Sequence, residues 1–154
     1  MAFHIVLVEP EIPANTGNIS RTCAATGAHL HLVRPLGFQT DDRTLKRAGL
    51  DYWHAVHIEY HDSFQEVLDK NPEGRFFYAS TRATKVYSEF EYRDGDFFVF
   101  GKETKGLPQE LIDANLDTCI RMPMTGDVRS LNLSNSAAIV IYEALRQNHF
   151  PSLH

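Results

Sequence analysis

The chain has 154 residues, with 15 Lys and Arg residues against 20 Asp and Glu residues. This length is typical of one domain that buries about two-thirds of the surface of its unfolded chain, which excludes a small fold dependent on disulfides or metal. The formal net charge of -5 excludes a protein that holds nucleic acid or an anionic membrane through an overall positive field.

The N-terminal segment carries no predicted export signal. Its apolar run of about six residues ends at Glu9 and is too short for a signal sequence. The sequence contains no run of about 18 apolar residues, so it predicts no membrane span. Cys23 and Cys119 do not form a C-x-x-C pair, and we expect structural thiols. The sequence therefore predicts a cytoplasmic protein without a membrane partner.

Six short apolar segments are predicted to form strands. They are residues 3–8, 29–33, 56–60, 76–80, 97–100 and 118–122. Their apolar character does not alternate, which is typical of a parallel sheet covered by helices on both faces. Because no linker or repeat interrupts the alternation of strands and helices, we predict a single α/β domain over residues 1–154 with a mostly parallel sheet.

Capping signals bound the predicted helices between these strands. The signals are Asn15 or Thr16 and Gly27 for the first helix, Asp41 or Asp42 and Gly49 for a short basic second helix, the capping box of Ser63 and Glu66 for the third, and Pro108 for a short fourth. A last helix is predicted over residues 133–147, where apolar residues recur at helical spacing. Residues 81–96 are polar and are interpreted mostly as a loop.

Ligands of open parallel sheets bind beyond the carboxyl ends of the strands, so the loops that follow strands are the candidate site. The first such loop, residues 9–18, brings Asn15, Gly17 and Asn18 to a helix N-terminus, with Arg21 one turn into the helix. This arrangement is typical of an anion site. A capped helix with a surface arginine explains the same residues equally well, and both interpretations stay open.

Two further loops follow apolar strands. In residues 100–108, Gly101 and Gly106 allow a close approach of the backbone to a ligand, although a tight connection explains them too. Residues 122–136 hold more hydrogen-bonding side chains than a helix cap by Asn132 or Ser134 requires. Such an excess, interleaved with leucines, is suited to a flat apolar ligand with polar edges.

Together, the three segments resemble the three motifs of the SPOUT (TrmH-like) RNA 2'-O-methyltransferases. The segments are PEIPANTGNISR, FGKETKGLP and RMPMTGDVRSLNLSNSAAIVIYEALR. The short length, the start IVLVEPEIPANTGN and the segment RAGLDYW resemble one branch of that family especially, the wobble-nucleotide tRNA enzymes of the TrmL (YibK-like) type. The resemblance runs from about Phe3 to Gln147.

The resemblance implies an α/β fold with a deep C-terminal trefoil knot and a cofactor, S-adenosylmethionine, which is released as S-adenosylhomocysteine. It implies a homodimer whose active site combines residues of both chains, with Tyr142 on a helix used in dimer contacts. The implied substrate is the wobble nucleotide, cytidine or modified uridine, of a tRNA anticodon stem-loop. The implied reaction is an in-line attack of the ribose 2'-oxygen on the sulfonium methyl group.

The resemblance also assigns roles to individual residues. The implied catalytic residues are Asn15, Arg21, Ser134 and Asn135. The implied cofactor-binding residues are Ala79, Gly101, Glu103, Gly106, Met122, Ser130 and Leu131. A guanidinium has a pKa above about 12 and is a poor base, so Arg21 is expected to position the substrate and stabilise charge, and the general base is left unassigned.

The densest basic run of the chain is the candidate RNA surface. Arg34, Lys46 and Arg47, with Arg129 near the cofactor loops, are expected to bind the tRNA, although a solvated helix face explains such a run too. In RAGLDYW, Trp53 is interpreted either as a packing residue or as a platform for base stacking.

The eight histidines do not predict a metal site. Neither the pair His29 and His31 nor the set His54, His57 and His61 brings a Cys or carboxylate at a recognised ligand spacing, so we expect surface or sheet histidines and no metal. Besides the methyltransferase, a non-catalytic RNA-binding protein on the same knotted fold is retained as the alternative function. An unrelated nucleotide-binding enzyme is disfavoured because the chain has no P-loop.

Overall fold

A computed structural model of the chain describes residues 2–39, 43, 47 and 50–154. Its strands form one six-stranded sheet in the order β3-β2-β1-β5-β4-β6, and every strand pair in it is parallel. The strands are β1 (His4–Val8), β2 (His29–Val33), β3 (Ile58–His61), β4 (Phe76–Ala79), β5 (Phe97–Phe100) and β6 (Cys119–Ile120). The α/β class and the parallel sheet are therefore confirmed.

Four α-helices of the described residues cover this sheet. They are α1 (Pro13–Thr26), α2 (Phe64–Lys70), α3 (Gln109–Ala114) and α4 (Leu133–Gln147). The buried side chains on one face of the sheet pack with those of α1 and α4, and the buried side chains on the other face pack with Val67 of α2 and Ile112 of α3. Helices thus cover both faces, which is why the central strand β5 is apolar throughout.

The capping signals are mostly confirmed. Gly27 ends α1 in the left-handed conformation with φ 79°, and its N–H donates to the carbonyl of Cys23. The Ser63 hydroxyl accepts the amide of Glu66 at 3.1 Å, as the capping box predicts. The start of α1 is the exception: the helix begins at Pro13 and its N-cap has no side-chain hydrogen bond, so neither Asn15 nor Thr16 is the cap.

Four predicted strands differ from the observed ones at one or both ends, and β3 and β6 differ most. β3 starts at Ile58 because a 3-10 helix occupies Leu50–Ala55. β6 has only two residues because its partner β4 ends at Ala79. The next residue after β6, Arg121, forms an isolated bridge with Val86 instead. The predicted helix after Asp41 or Asp42 lies outside the described residues, except that Arg43 and Arg47 are helical and exposed.

Both cysteines are buried and free. Burial raises the pKa of Cys23 to about 12, so its thiolate, the reactive form, is strongly disfavoured. Their interpretation as structural thiols is in accord with this burial. Within the described part of the chain, no helix combines the length and the apolar character needed to span a bilayer. The C-terminal knot stays a prediction.

Candidate functional site

A cavity of about 520 Å³ lies at the carboxyl ends of β4, β5 and β6. Ala79, Phe100 and Ile120, the last residues of these strands, form its base, and loops from all three candidate segments form its wall. The volume is within the usual range for small-molecule sites, and the position at strand ends is where parallel sheets bind ligands.

The cavity gathers every residue predicted to hold the cofactor. The lining includes Ala79, Gly101, Glu103, Gly106, Met122, Ser130 and Leu131. The family resemblance thus identified part of the lining of this cavity, although these residues come from the end of β4 and from two loops that are distant in the sequence.

The wall has a chemistry that suits a nucleoside with a charged tail. Apolar side chains line it from Phe100, Leu107, Ile120, Met122 and Leu133. Among them stand the hydroxyl groups of Ser130 and Ser136 and the cationic side chains of Lys102 and Arg129. An apolar surface can hold a purine ring while hydroxyls and backbone groups hydrogen-bond a ribose and an amino acid, so these residues fit S-adenosylmethionine.

Gly101 shapes the loop after β5. A Cβ atom placed there would lie 2.1 Å from the carbonyl carbon of Gly106 and 2.2 Å from the nitrogen of Leu107. The loop returns on itself at this point, because the N–H of Gly106 donates to the carbonyl of Lys102 at 2.8 Å and Gly106 adopts φ 68°. Both glycines are therefore required by the backbone of this loop and not by a side chain that faces it.

Glu103 connects the second loop to the first. Its carboxylate accepts the amides of Glu11 and Ile12, both at 2.8 Å, and the side-chain amide of Asn15 at 3.2 Å. An anion is therefore present at the N-terminus of α1, where the helix dipole favours negative charge, but it belongs to the chain itself. The interpretation of this end as a site for an external anion is corrected accordingly.

A second set of hydrogen bonds joins these loops, with the acceptor on the first loop and the donors on the second. The Glu11 carboxylate accepts the backbone amide of Thr104 at 3.0 Å and its hydroxyl at 2.8 Å. The hydrogen bonds from Thr104 hold the pKa of the Glu11 carboxyl below its usual value. Lys102 and Glu9 add an ion pair with 3.6 Å between Nζ and Oε1. The two loops thus form one unit before any ligand binds.

Asn132 extends this network to the third loop. Its Nδ2 donates to Oδ1 of Asn15 at 3.1 Å, and its Oδ1 accepts the amides of Ser134 at 2.9 Å and Asn135 at 3.3 Å. The Ser134 hydroxyl also donates to this oxygen at 2.6 Å. Asn132, one of the two predicted caps, is therefore the cap of α4, and its link to Asn15 had no signal in the sequence.

The other predicted site residues are distributed over a wider surface. Asn15 and Arg129 line the cavity, whereas the described part of its wall does not include Arg21, Ser134 or Asn135. Arg21 is exposed on α1. Ser134 and Asn135 form the first turn of α4 and take part in its cap.

The predicted RNA-binding residues do not form one cluster with the cavity. Arg34 lies at the end of β2, where Nη1 is 3.2 Å from Oδ1 of Asp62 and the guanidinium is 5.1 Å from the ring of Tyr60. Arg47 is exposed, and Lys46 lies outside the described residues. Trp53 packs against the main core, which supports its interpretation as a packing residue.

Comparison with known sequences gives the chain a family context. Residues 2–142 match the profile described as the SpoU rRNA Methylase family. A tRNA (cytidine(34)-2'-O)-methyltransferase of Escherichia coli (strain K12) is 47% identical over 149 residues, which are 96% of this chain and 95% of that protein. A Bacillus subtilis (strain 168) protein with a provisional assignment to the same activity is 58% identical over 156 residues, 99% of this chain and 98% of that protein.

Solved structures show the same fold. A provisionally assigned RNA methyltransferase from Bacillus anthracis superimposes with a TM-score of 0.92 at 60% identity, over 98% of this chain and 97% of that chain. A structure described as giving insight into 2-OH methylation of C/U34 on tRNA has a TM-score of 0.91 at 46% identity, over 96% of this chain and 97% of the other. The methyltransferase AviRb of Streptomyces viridochromogenes, in complex with AdoMet, has a TM-score of 0.85 at 23% identity over 98% of this chain and 58% of that one, and shares the fold.

Proposed function

Because the chain belongs to the SpoU rRNA methylase family, we propose that it transfers a methyl group from S-adenosylmethionine to the ribose 2'-hydroxyl of the wobble nucleotide, position 34, of tRNA. The observation that carries the proposal is the cavity, in which the end of β4 and the second and third motifs bring together all the residues expected to hold the cofactor. The relatives named as tRNA (cytidine(34)-2'-O)-methyltransferases support the substrate, since they match this chain over nearly their whole length.

The cavity residues divide the work of holding the cofactor. Phe100, Leu107, Ile120 and Leu131 would hold the adenine ring, while backbone groups of the loops and Ser130 would hold the ribose and the amino acid. When bound, S-adenosylmethionine supplies a methyl group on a positively charged sulfur. The protein contributes a fixed position for this group, and alignment of two bound reactants is itself a large part of the rate enhancement.

Arg21 and the network around Asn15 act on the substrate side. An exposed guanidinium offers a rigid donor fork to a phosphate or a ribose oxygen, so we assign Arg21 to positioning the nucleotide and stabilising charge. It keeps its proton and does not act as the base. Asn15, Ser134 and Asn135 are joined through Asn132, which holds the first turn of α4 against the first loop.

We also propose a homodimer, in which Arg21 of one chain serves the cavity of the other. The described cavity wall of one chain does not include Arg21, and this absence favours a site that a second chain completes. Ile139 and Tyr142 of α4 are 39% and 45% exposed, and Ile12 is 45% exposed, which leaves an apolar surface for a partner. All 154 residues would form the one methyltransferase domain of each chain.

The RNA surface of this dimer would consist of local basic groups. Arg34, Lys46, Arg47 and Arg129 are proposed to contact the phosphates of the anticodon stem-loop. The net charge of -5 restricts binding to such a local patch. A cytoplasmic location follows from the proposed tRNA substrate.

The proposal is tested by incubating the purified protein with labelled S-adenosylmethionine and total tRNA, then locating the methyl group by nuclease digestion and mass spectrometry. We expect a 2'-O-methylated nucleotide 34. Arg21→Ala should lose methyl transfer while calorimetry still shows cofactor binding, and Arg93→Ala, a change at an exposed arginine outside the cavity wall, is the matched control. RNA binding without methylation would support the non-catalytic alternative, and a labelled base or unlabelled RNA would contradict the proposal.

A further inference from the structure

Three side chains of neighbouring strands β2 and β3 converge at one edge of the sheet. His31, Glu59 and His61 each place one possible ligand atom within 4.8 Å of the others. Nδ1 of His31 lies 3.0 Å from Nε2 of His61 and 3.3 Å from Oε2 of Glu59. We propose that these residues bind one divalent transition-metal ion, with Zn²⁺ as the preferred ion.

The strand register creates this convergence. His31 is the Cα partner of Glu59, and Val33 is the Cα partner of His61. Since residues two apart on a strand share a face, the imidazoles and the carboxylate lie on the same face of the sheet. Both histidines are fully buried, whereas the Glu59 side chain is 44% exposed, so its carboxylate lies on the path by which an ion would enter.

Each imidazole has an outward nitrogen, the ring nitrogen that does not face the proposed ion. Both outward nitrogens already face a group that can accept a hydrogen bond. Nε2 of His31 is 2.9 Å from Nδ1 of His4, which can accept its proton. Nδ1 of His61 is a buried atom without a hydrogen-bond partner among the described residues, and Oε1 of Glu66 lies 3.7 Å from it. Metal-bound histidines commonly donate their second N–H to an acceptor of this kind, above all to a carboxylate.

The protons of the two rings balance in this arrangement. Each neutral imidazole has one N–H and one lone pair, so protons on the outward nitrogens leave both lone pairs directed at the same space. In the hydrogen bond between His31 and His61, one ring carries its proton on the nitrogen that faces the other ring. When an ion binds, that proton moves to the outward nitrogen of the same ring. The ion then takes the place of the hydrogen bond, and the two rings keep both of their protons.

The donor set and its spacing favour zinc. Two imidazoles and one carboxylate form a common zinc set that leaves a fourth position for water. Tetrahedral bonds of about 2.0 to 2.1 Å place donor atoms roughly 3.3 Å apart, close to the two distances from Nδ1 of His31. Rotation of the partly exposed Glu59 side chain supplies the remaining adjustment. None of the three ligands lines the cavity at the ends of β4, β5 and β6, so the site is separate from the proposed methyl transfer.

Zinc titration of the untagged, full-length protein tests the site after treatment with EDTA and removal of the chelator. Calorimetry should show one equivalent of bound Zn²⁺, and Zn²⁺ should raise the midpoint of thermal unfolding. Glu59→Gln should weaken binding at least tenfold, and Glu66→Gln about tenfold, because the two changes remove a ligand and the partner of a ligand. His54→Gln, at an exposed histidine outside the cluster, should leave the affinity unchanged.

Three results would overturn the site. The first is the absence of binding at one equivalent, which would leave a hydrogen-bonded histidine pair only. The second is an unchanged affinity in a folded Glu59→Gln variant, and the third is an equal loss in His54→Gln, which would indicate binding by surface imidazoles. Circular dichroism of each variant establishes folding, and the side chains of Glu59 and Glu66 are 44% and 32% exposed, so that their replacement leaves the core intact.

Discussion

At the scale of single residues, Gly101 is a position where the structure leaves no space for a side chain. The backbone of Gly106 and Leu107 occupies the place of any side chain there, at 2.1 and 2.2 Å from the added Cβ. A contact this short has to be relieved by movement of the loop itself, since backbone atoms on both sides cannot rotate away. The shape of the cavity thus depends on the absence of one methyl group.

Gly101→Ala should therefore weaken S-adenosylmethionine binding at least tenfold, because the loop that forms the cavity wall has to move. Calorimetry measures the affinity. Gly95→Ala is the matched control: Gly95 has φ 86° with open space around its Cβ position, so this change should cost about 1 kcal/mol of stability and leave the affinity unchanged. Binding by Gly101→Ala at the wild-type affinity would show that the loop does not form the cofactor site.

Glu103→Gln tests the residue that connects the second loop to the first. The carboxylate accepts three hydrogen bonds, from Glu11, Ile12 and Asn15, and a carboxamide of the same size replaces one acceptor by a donor. We expect a loss of about 1 to 2 kcal/mol in the free energy of unfolding, measured by urea denaturation. Glu110→Gln, at an exposed residue of α3, should change it by less than about 0.5 kcal/mol. Equal stability of the two variants would mean that the bonds of Glu103 contribute nothing net.

At the scale of elements, the start of α4 joins two functions in one side chain. The oxygen of Asn132 caps the helix, and its nitrogen donates to Asn15 in the first loop. The position of the longest helix in the described residues is thereby linked to the loop that begins α1. Helix stability and cavity shape are coupled at this residue.

Two substitutions of Asn132 separate these functions. Asn132→Ala removes the cap and should lower the free energy of unfolding by about 1 kcal/mol. The same change should also lower the rate of methyl transfer. Asn132→Asp keeps a capping oxygen but loses the donor toward Asn15, so it should retain most of the stability and still lower methyl transfer. Ser63→Ala, which removes the cap of α2, should lower stability alone. Unfolding and activity assays on the three variants decide this, and full activity of Asn132→Asp would contradict the proposed link.

At the scale of the whole molecule, the proposed active site combines residues of two chains. The cavity lies at the strand ends of one chain, and the described wall does not include Arg21. In a twofold dimer, each chain can supply its arginine to the cavity of the other. Two defective chains can then complement each other.

A heterodimer of Arg21→Ala and Gly101→Ala chains, purified through two different affinity tags, tests this complementation. One of its two sites has an intact cavity and an intact arginine, so we expect about half the wild-type rate of methyl transfer. At a cofactor concentration that does not saturate the Gly101→Ala cavity, each homodimer of a single variant should have little activity. An inactive heterodimer would show that Arg21 serves the cavity of its own chain.

RNA binding also depends on the charge of the whole molecule, because a net charge of -5 repels the phosphates of RNA. Arg47→Glu should weaken tRNA binding and lower the dependence of affinity on salt, since each lost phosphate contact removes about one unit of the slope. Arg93→Glu makes the same change of charge at another exposed arginine and should leave the slope unchanged. Affinity measurements over a series of salt concentrations compare the two, and equal slopes would exclude Arg47 from the interface.

Much of the fold was predictable from local sequence. The segments 29–33 and 97–100 match β2 and β5, and the last helix matches α4, because apolar runs and helical spacing depend on residues within a few positions of one another. The seven cofactor residues were found through motif resemblance and then found together at one cavity. The start of α1 was missed because its anion comes from Glu103, far along the chain.

The sequence by itself determined the α/β class, the positions of most elements to within a few residues and the loops that line the cavity, since these follow from local periodicity, capping and motifs. Only the tertiary structure decided which distant groups meet. Glu103 reaches Glu11 across 92 positions, and His31 reaches His61 across 30. Such pairs depend on the order and register of the strands, which bring β1 beside β5 and β2 beside β3. That arrangement is set by the packing of the whole chain and leaves no local pattern in the sequence.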